Sequence, residues 1–370
     1  MVERFSIDII EKDSNEQLQA LQKRGYLSSS NIKPIIFFGA GLWGVTYLEA
    51  TQQITPIPIL FCDNDSRKWG TIIEGVSVIS FDELKDKYYD SAIVITSPDY
   101  YNEIEKQLED NNMHDNLLEV AIDVFFNVNF NNYFSLVDKN LDKFSRVYSW
   151  FSDDYSKQLF YDKINYCISA NPRYLVSHRS KAPQYFDPDI VTLSQDETFV
   201  DGGAFIGDTV DEIIKQTKGI FKKIYSFEPE KTKHLEFLEK FSSLRNVELV
   251  PYGLWEKKGI LRFNSSNSGY SRVSEEGDIE IPVISVDEVL NGEVVTFIKM
   301  DIEGAELKAL KGAEKTIKKY RPRLAICIYH KPLDIIEIPY YIKELVPEYK
   351  FYLRHYSSMY TETVLYAIAD

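Results

Sequence analysis

Short apolar runs alternate with helical stretches in the first third of the chain. The apolar runs lie at residues 33–38, 58–62 and 91–96, and the helical stretches at residues 81–87 and 101–111. Such an alternation is typical of β–α units, whose parallel sheet is covered by helices. We therefore expect a small α/β domain at residues 31–120, after a helical lead-in at residues 1–30.

The same alternation returns at residues 191–370. Five apolar runs lie at residues 198–200, 223–229, 247–255, 294–301 and 323–330. Helical spacing of Leu307, Leu310, Ala313 and Ile317 predicts one helix between the fourth and fifth runs. The last two runs, residues 349–355 and 362–369, have no helix between them, which predicts an antiparallel pair. This pattern predicts a doubly wound sheet that ends in an antiparallel hairpin.

The segment between the two domains has a different composition. Residues 121–190 are rich in Asn, Asp, Tyr and Phe and contain helical pieces such as residues 153–169. We interpret them as a helical connector packed against one or both domains. Residues 181–190, with two prolines, form the predicted entry loop to the second domain. The aromatic residues of this loop are either core residues or a cover over a substrate.

Charge and composition exclude several classes of function. The chain of 370 residues is 44% apolar and carries a net charge of −15. It has no basic stripe for nucleic acid or polybasic membrane anchor, and no run approaches a membrane span. The three cysteines are scattered, which argues against a disulfide framework or zinc motif. The N-terminal residues are broken by charges, unlike a signal peptide, so we expect a cytoplasmic protein.

A glycine motif follows the first apolar run. Gly39, Gly41 and Gly44 have the G-x-G-x-x-G spacing, and Asp63 ends the next run about 20 residues later. Rossmann folds bind a nucleotide with such a turn and hold a ribose hydroxyl with such an acid. The alternatives are a Rossmann-like module that has lost its ligand and serves for docking, and, less favoured, an NAD-linked oxidoreductase.

A second glycine turn follows the strand at residues 198–200. Asp201 stands at the strand end, and Gly202, Gly203 and Gly207 allow a tight turn and close approach of a ligand. Thr209 and Glu212 have capping-box spacing, which predicts a helix that begins at Thr209.

Three stretches carry a resemblance to a known family. They are residues 199–208 (FVDGGAFIGD), residues 227–229 (FEP), and residues 297–306 (FIKMDIEGAE) with Leu310-Lys-Gly-Ala313 after them. Over residues 191–370 the chain resembles the FkbM family of S-adenosylmethionine-dependent methyltransferases, which have the class I methyltransferase fold. Residues 31–120 resemble, more loosely, Rossmann-like modules attached to some sugar-modifying enzymes.

The resemblance implies a cofactor site and an acceptor site. Glu228 would accept hydrogen bonds from the ribose of S-adenosylmethionine, and Asp201 or Asp301 would face its ammonium group. The cofactor-binding set is Asp201, Gly202, Gly203, Ala204, Gly207, Glu228, Pro229 and Asp301. The expected activity is O-methylation of a sugar or glycan-linked acceptor, with a nucleotide-linked sugar as a further partner of the first domain. The rival hypothesis is a scaffold that binds nucleotide-type ligands without chemistry.

An alcohol acceptor must lose its proton, so a base is expected near the methyl group. His330, after the fifth run, suits this role best because an imidazole titrates near neutral pH, with Asp301 and Glu303 as alternatives. Lys299 would neutralise an acidic cluster or merely pack. A divalent cation held by Asp301, Glu303 and His330 is an alternative that we do not expect. Glu306 is interpreted as an ordinary first-turn acid.

The polar stretch at residues 264–273 is predicted to be an exposed loop. Tyr270 and Arg272 either contact an acceptor or belong to a solvated loop. The oligomeric state cannot be read from the sequence.

Overall fold

The computed structural model describes residues 5–10, 33–52, 58–118, 133–169, 171–263, 279–357 and 359–369. The polar stretch with Tyr270 and Arg272 lies outside these residues. Most of the predicted lead-in also lies outside the described residues. Its described part, residues 5–10, contains a short 3-10 helix at Ile7–Ile9. Phe5 stacks on Tyr161 of a later helix, with ring centroids 5.0 Å apart.

The first domain is a five-stranded sheet in the order β3-β4-β2-β1-β5. Its strands are β1 (Ile35–Phe38), β2 (Ile59–Cys62), β3 (Ile72–Ile73), β4 (Val76–Ile79) and β5 (Ile93–Ile95). All are parallel except β3, which pairs with β4 as a short hairpin. Helices Leu42–Gln52, Phe81–Lys87 and Tyr101–Asp110 accompany the sheet. The predicted parallel sheet is confirmed.

The second domain contains a seven-stranded sheet in the order β14-β15-β13-β12-β6-β7-β8. Its strands are β6 (Thr198–Gly202), β7 (Lys223–Phe227), β8 (Val247–Val250), β12 (Phe297–Met300), β13 (Arg323–Cys327), β14 (Lys350–His355) and β15 (Thr363–Ile368). The first five are mutually parallel, and β15 runs antiparallel to both β13 and β14. Helices Asp208–Gln216, Lys231–Phe241 and Asp334–Leu345 connect its strands. The doubly wound sheet with a terminal antiparallel hairpin is confirmed.

The third apolar run is divided between two sheets, contrary to the prediction of one strand. β8 stops at Val250, because Pro251 has no N–H to donate to a ladder. β9 (Gly253–Leu254) then joins a small sheet with β10 (Gly259–Phe263) and β11 (Ile279–Ile284). Helix Val286–Leu290 follows β11 and has a capping box formed by Ser285 and Glu288.

Two helices replace the single helix predicted after β12. They are Glu306–Lys311 and Glu314–Tyr320, separated at Gly312. A Cβ on Gly312 would lie 2.1 Å from the carbonyl oxygen of Trp255, so the first helix ends against another segment. The Asp287 carboxylate accepts the N–H groups of Lys315 (3.0 Å) and Thr316 (2.9 Å) and thereby stabilises the start of the second helix.

The predicted capping box at Thr209 is wrong. The helix begins at Asp208, and its N-cap is Gly207 in the left-handed region, with φ of 89°. Because only glycine adopts this conformation readily, the helix starts earlier than a Thr209 cap would allow. Glu212 instead accepts from Gln216 within the helix.

The connector shares its core with the second domain. Its helices are Tyr133–Lys139, Leu141–Trp150, Asp154–Ser169 and Arg173–Val176. Their buried side chains form one hydrophobic cluster with those of the seven-stranded sheet, whereas the five-stranded sheet has two clusters of its own. Ser156 Oγ accepts the N–H of Leu353 on β14 (2.7 Å). In the part of the chain that the structure describes, no helix is long and apolar enough to cross a membrane.

Candidate active site

The glycine turn after β6 is shaped by the protein's own packing. A Cβ on Gly203, whose φ is 81°, would lie 2.0 Å from the carbonyl oxygen of Asp301. One on Gly207 would lie 2.2 Å from the Phe241 ring, and one on Gly202 would lie 2.7 Å from Leu254. Ala204 is buried, whereas Phe205 at the tip is 48% exposed. The turn thus places the exposed residue Phe205 at the carboxyl edge of the sheet.

Glu228 follows β7 and lies next to this turn. Its Oε2 accepts the N–H of Phe205 (2.9 Å), and its Oε1 accepts the N–H of Glu230 (2.8 Å). Burial raises the pKa of Glu228, and the two backbone hydrogen bonds oppose that shift. A carboxylate has about four acceptor positions, so this one retains capacity for two more donors. Pro229, which follows, is half-buried.

Lys299 pairs with Asp201 across neighbouring strands. Its Nζ lies 3.0 Å from Asp201 Oδ1 and donates to the carbonyl of Gly203 (2.8 Å). Both side chains are buried, and burial raises the pKa of Asp201 to about 6, against the effect of the lysine charge. Asp201 neither caps the helix nor reaches the surface in this arrangement. Lys299 therefore neutralises a buried acid directly beneath the turn.

Asp301 receives hydrogen bonds from two tyrosines that sequence reasoning missed. Tyr185 donates to Oδ2 (2.9 Å) and Tyr329 donates to Oδ1 (3.0 Å). Tyr185 comes from the predicted entry loop, and Tyr329 precedes His330. Tyr329 also contacts Glu362 (3.4 Å), a residue that no sequence pattern singled out.

His330 is surrounded by carboxylates. Its Nε2 lies 3.5 Å from Asp301 Oδ1 and 3.6 Å from Glu303 Oε2, and its Nδ1 lies 3.0 Å from Glu306 Oε1. Burial alone would lower the pKa of His330, but the contact with Glu306 and the adjacent negative charges raise it to about 9. At neutral pH the ring is therefore a cation paired with acids.

Glu306, predicted to be an ordinary first-turn acid, has partners that this role does not anticipate. It is fully buried, and its Oε1 accepts the N–H of Ile302 (2.9 Å) in the loop after β12. Its position in the first turn of a helix could be predicted from the sequence, but its burial depends on the loop after β12, whose Ile302 N–H it accepts. Asp301, Glu306 and His330 form a group in which one ligand atom of each lies within 4.8 Å of the others. The cation alternative had placed Glu303, 72% exposed at its side chain, in this group instead of Glu306.

These residues lie on the two sides of β6, at the carboxyl edge of the seven-stranded sheet. Glu228 and the group around Asp301 and His330 follow β7, β12 and β13, and they flank the turn after β6. With a strand spacing of about 4.8 Å, the ends of β7 and β12 are roughly 10 Å apart. The sequence-predicted residues of the second domain are thus brought to one edge.

The three glycines of the G-x-G-x-x-G motif in the first domain have different structural roles. Gly39, with φ of 126°, makes the turn, and a Cβ on Gly44 would lie 2.1 Å from the Gly39 carbonyl oxygen. Nothing lies within 4 Å of a Cβ on Gly41. Asp63 already accepts from Ala40 N–H (2.8 Å), Asp65 N–H (2.8 Å) and Lys68 Nζ (2.8 Å). Its carboxylate therefore stabilises the glycine turn itself, which a ribose-binding role does not anticipate.

Two stretches of the chain match models of known domains. Residues 201–357 match the model of the methyltransferase FkbM domain, and residues 31–117 match that of the C2185-like N-terminal domain. No curated protein matches the chain.

Among solved structures, the chain is similar to the methyltransferase FkbM from Methylobacillus flagellatus KT. The two share 23% identity with a TM-score of 0.72, over 97% of this chain and 95% of that one. This likeness establishes a shared fold along nearly the whole chain.

Two further structures are similar over about half of the chain. The rRNA methylase from Streptococcus thermophilus has 19% identity and a TM-score of 0.33, over 48% of this chain and 89% of that one. The Aeropyrum pernix fibrillarin with natively bound S-adenosyl-L-methionine has 11% identity and a TM-score of 0.32, over 48% and 70%. The family match and the residues at the sheet edge agree, and the C-terminal part of this chain, residues 201–357, is a methyltransferase FkbM domain.

Proposed function

We propose that this chain transfers a methyl group from S-adenosylmethionine to a hydroxyl group of a sugar or glycan-linked acceptor. The observation that carries the proposal is the pairing, on one sheet edge, of buried Glu228 beside the glycine turn with the acidic group around Asp301 and His330. When bound, S-adenosylmethionine supplies an electrophilic methyl group next to a positively charged sulfur. Among the residues present, Glu228 fits the ribose of such a cofactor.

Glu228 is the proposed ribose ligand. Its carboxylate is held by two backbone N–H groups, which fix its orientation, and it keeps free acceptor positions toward the edge. The part-exposed Gly203 and the exposed Phe205 lie beside it. Asp201 has a different proposed role, since its fully buried carboxylate holds Lys299 and supports the turn from beneath. Glu228 would thus contact the cofactor directly, whereas Asp201 is a positioning residue.

The acceptor hydroxyl would meet the carboxylates after β12. Asp301 is part-exposed and Glu303 is exposed, and carboxylates of this kind accept hydrogen bonds from sugar hydroxyls. Because His330 is cationic at neutral pH, it does not suit the role of proton acceptor in this arrangement. We therefore assign proton acceptance to a carboxylate, with Glu303 the more accessible of the two, and assign His330 to holding the acids in place.

Calorimetric titration of S-adenosylmethionine into the full chain tests the cofactor assignment. We expect saturable binding to the wild type and at least about tenfold weaker binding to Glu228→Gln, since a charged hydrogen-bond acceptor contributes about 1.5–3 kcal/mol. Glu230→Gln, which changes an exposed neighbour, is the matched control and should bind like the wild type. Equal binding to Glu228→Gln and wild type would contradict the assignment.

Product analysis tests the acceptor. Mass spectrometry of reactions with sugar nucleotides should detect an added methyl group, and with small polyols it should detect none. Methylation of polyols alone would contradict the glycan part of the proposal while leaving methyl transfer intact. No turnover with any acceptor, together with cofactor binding, would favour a scaffold without chemistry.

We propose that the first domain holds a nucleotide-linked part of the acceptor at Gly41. The open space above Gly41 and the exposed Trp43 and Trp69 beside the turn support this placement. Quenching of tryptophan fluorescence in the Trp150→Phe/Trp255→Phe variant, titrated with a sugar nucleotide and then with NAD, tests it. Quenching by NAD alone would instead favour the oxidoreductase alternative, and no response would favour a docking module.

A further inference from the structure

Three residues from separate parts of the chain converge beside the proposed acceptor site. Asp301 follows β12, Glu306 begins the next helix, and His330 lies three residues beyond β13. One oxygen or nitrogen of each lies within 4.8 Å of the other two. Two carboxylates and an imidazole at such separations are a common set of ligands for a divalent cation.

Two atoms of this group are buried and have no hydrogen-bond partner among the described residues. They are Oε2 of Glu306 and Nδ1 of His330. Glu306 is fully buried, and its other oxygen already accepts two backbone N–H groups, those of Ile302 and Gly304. The His330 Nδ1 lies 3.0 Å from Glu306 Oε1 but is not aligned for a hydrogen bond. Buried polar atoms without partners are rare in proteins and call for an ion or a water.

The charge around the group has the same implication. Glu303 lies 3.6 Å from the His330 ring, and the buried Asp334 begins a neighbouring helix. The nearby Lys331 directs its ammonium to the Gly304 carbonyl. Four carboxylates therefore lie around a single imidazole. Those of Glu306 and Asp334 are buried, and buried negative charge is costly unless a cation compensates it.

We infer that Asp301, Glu306 and His330 bind one divalent cation of the Mn²⁺ or Mg²⁺ class, which would displace the proton that the His330 ring otherwise holds. Oxygen ligands favour these ions, and a single imidazole is compatible with Mn²⁺ in particular. Three protein ligands leave coordination positions for outside oxygens. Asp301, whose side chain is 23% exposed, faces the open side of the group, where an acceptor would arrive.

The role of the cation rests on the proposed function. A cation that binds a sugar diol would orient both hydroxyls and lower the pKa of the one to be methylated. The proton would then leave to a nearby carboxylate, such as that of Glu303, as the oxygen–methyl bond forms and the sulfur–methyl bond breaks. Binding of the cation itself does not require the proposed function.

Titration with Mn²⁺ alone tests the inference. The full chain, without an affinity tag and after treatment with a chelator, is titrated while free Mn²⁺ is followed by electron paramagnetic resonance. We expect saturable binding of a single Mn²⁺ to the wild type and at least about tenfold weaker binding to Glu306→Gln and Asp301→Asn. Glu314→Gln, a change of the same kind on the following helix, should bind like the wild type.

Circular dichroism of each variant separates loss of a ligand from loss of folding. Asp301→Asn keeps the test decisive if the buried Glu306→Gln change unfolds the chain, because Asp301 is part-exposed. No saturable Mn²⁺ binding to the wild type, or equal binding to the folded variants, would overturn the inference. The calorimetric titration with S-adenosylmethionine on the same samples reports the proposed function separately, so that either result can fail alone.

Discussion

Lys299 is a lysine whose charge is enclosed by the protein, with Asp201 as its ion-pair partner. Replacing it by methionine would leave a buried carboxylate without a counter-charge, which typically costs about 3–5 kcal/mol. We predict that Lys299→Met lowers the free energy of unfolding by this amount in urea denaturation. Lys308→Met, which removes an exposed pair with Glu256, should change it by less than about 1 kcal/mol. Similar losses in both variants would contradict this account.

Gly203 combines a left-handed backbone with a close neighbour. Gly203→Ala should cost about 1–2 kcal/mol for the backbone conformation, and more for the clash with the Asp301 carbonyl. Gly219→Ala is the matched control, because Gly219 has a similar φ of 77° but open space around it. Thermal denaturation should therefore show a clearly larger loss for Gly203→Ala. Equal losses would mean that the turn relaxes around the added methyl group.

Individual residues divide into those that sequence reasoning located and those it missed. Glu228 and Asp301 were placed at strand ends correctly, because the apolar runs mark where strands stop. The burial of Glu306 and the partners of Asp301 were not foreseen. Tyr185 lies 116 positions before Asp301 in the chain, and no local spacing relates the two. Contacts of this kind depend on how a loop folds over a sheet edge.

At the scale of elements, β14 ends on a histidine that cannot readily take up a proton. His355 is fully buried, and burial, followed by the positive charges of Lys163 and His178, holds its pKa well below the usual value of about 6.5. An unfolded chain protonates this ring below pH 6.5 and the folded chain does not. Stability from this group is therefore complete above that pH and falls as the pH decreases.

We predict that the wild type loses up to about 1.4 kcal/mol of stability per pH unit below about pH 6.5 through His355. In His355→Gln that part of the slope should disappear, since glutamine does not titrate. Urea denaturation at several pH values, roughly between pH 5 and pH 8, measures how the free energy of unfolding changes with pH. His114→Gln, at a part-exposed site, should retain the wild-type slope. An unchanged slope in His355→Gln would show that the ring takes up a proton in the folded chain.

Most elements could be predicted from apolar periodicity, and the exceptions share a cause. Helix Phe81–Lys87 and the β14–β15 hairpin have clear local patterns. The break at Gly312 has none, because the helical spacing continues through it and only the approach of Trp255 ends the first helix. The small sheet of β9, β10 and β11 was also missed. β9 has only two residues, and Ile260 on β10 is 65% exposed, so its apolar side chain does not mark a buried strand face.

At the scale of the molecule, the chain has separate cores for its two sheets. Polar contacts such as that of Arg173 with Glu105 (3.1 Å) join the connector to the first domain. The four tryptophans divide evenly, with Trp43 and Trp69 in the first domain and Trp150 and Trp255 in the remainder. The sequence predicted two domains but not that the connector completes the second core, since its composition alone does not show what it packs against.

This division gives a prediction about ligand-induced stability. At 100 times its dissociation constant a ligand stabilises its site by about 2.7 kcal/mol. S-adenosylmethionine should therefore raise the melting temperature reported by the Trp43→Phe/Trp69→Phe variant, whose fluorescence comes from the second domain. The Trp150→Phe/Trp255→Phe variant, which reports the first domain, should show little shift. A shift confined to the first domain would contradict the proposed cofactor site.

The pairing of β6 with β12 joins positions 98 residues apart, and the pair of Asp201 and Lys299 lies within it. Closing a loop of that length costs roughly 4 kcal/mol of chain entropy before any contact repays it. The centre of the second sheet therefore assembles late, after local hairpins and helices have formed. During synthesis, β6 and the glycine turn after it have no β12 to pair with until that strand has been made. Interactions that form late mainly slow unfolding, so we expect the pair of Lys299 and Asp201 to slow the opening of this part of the sheet.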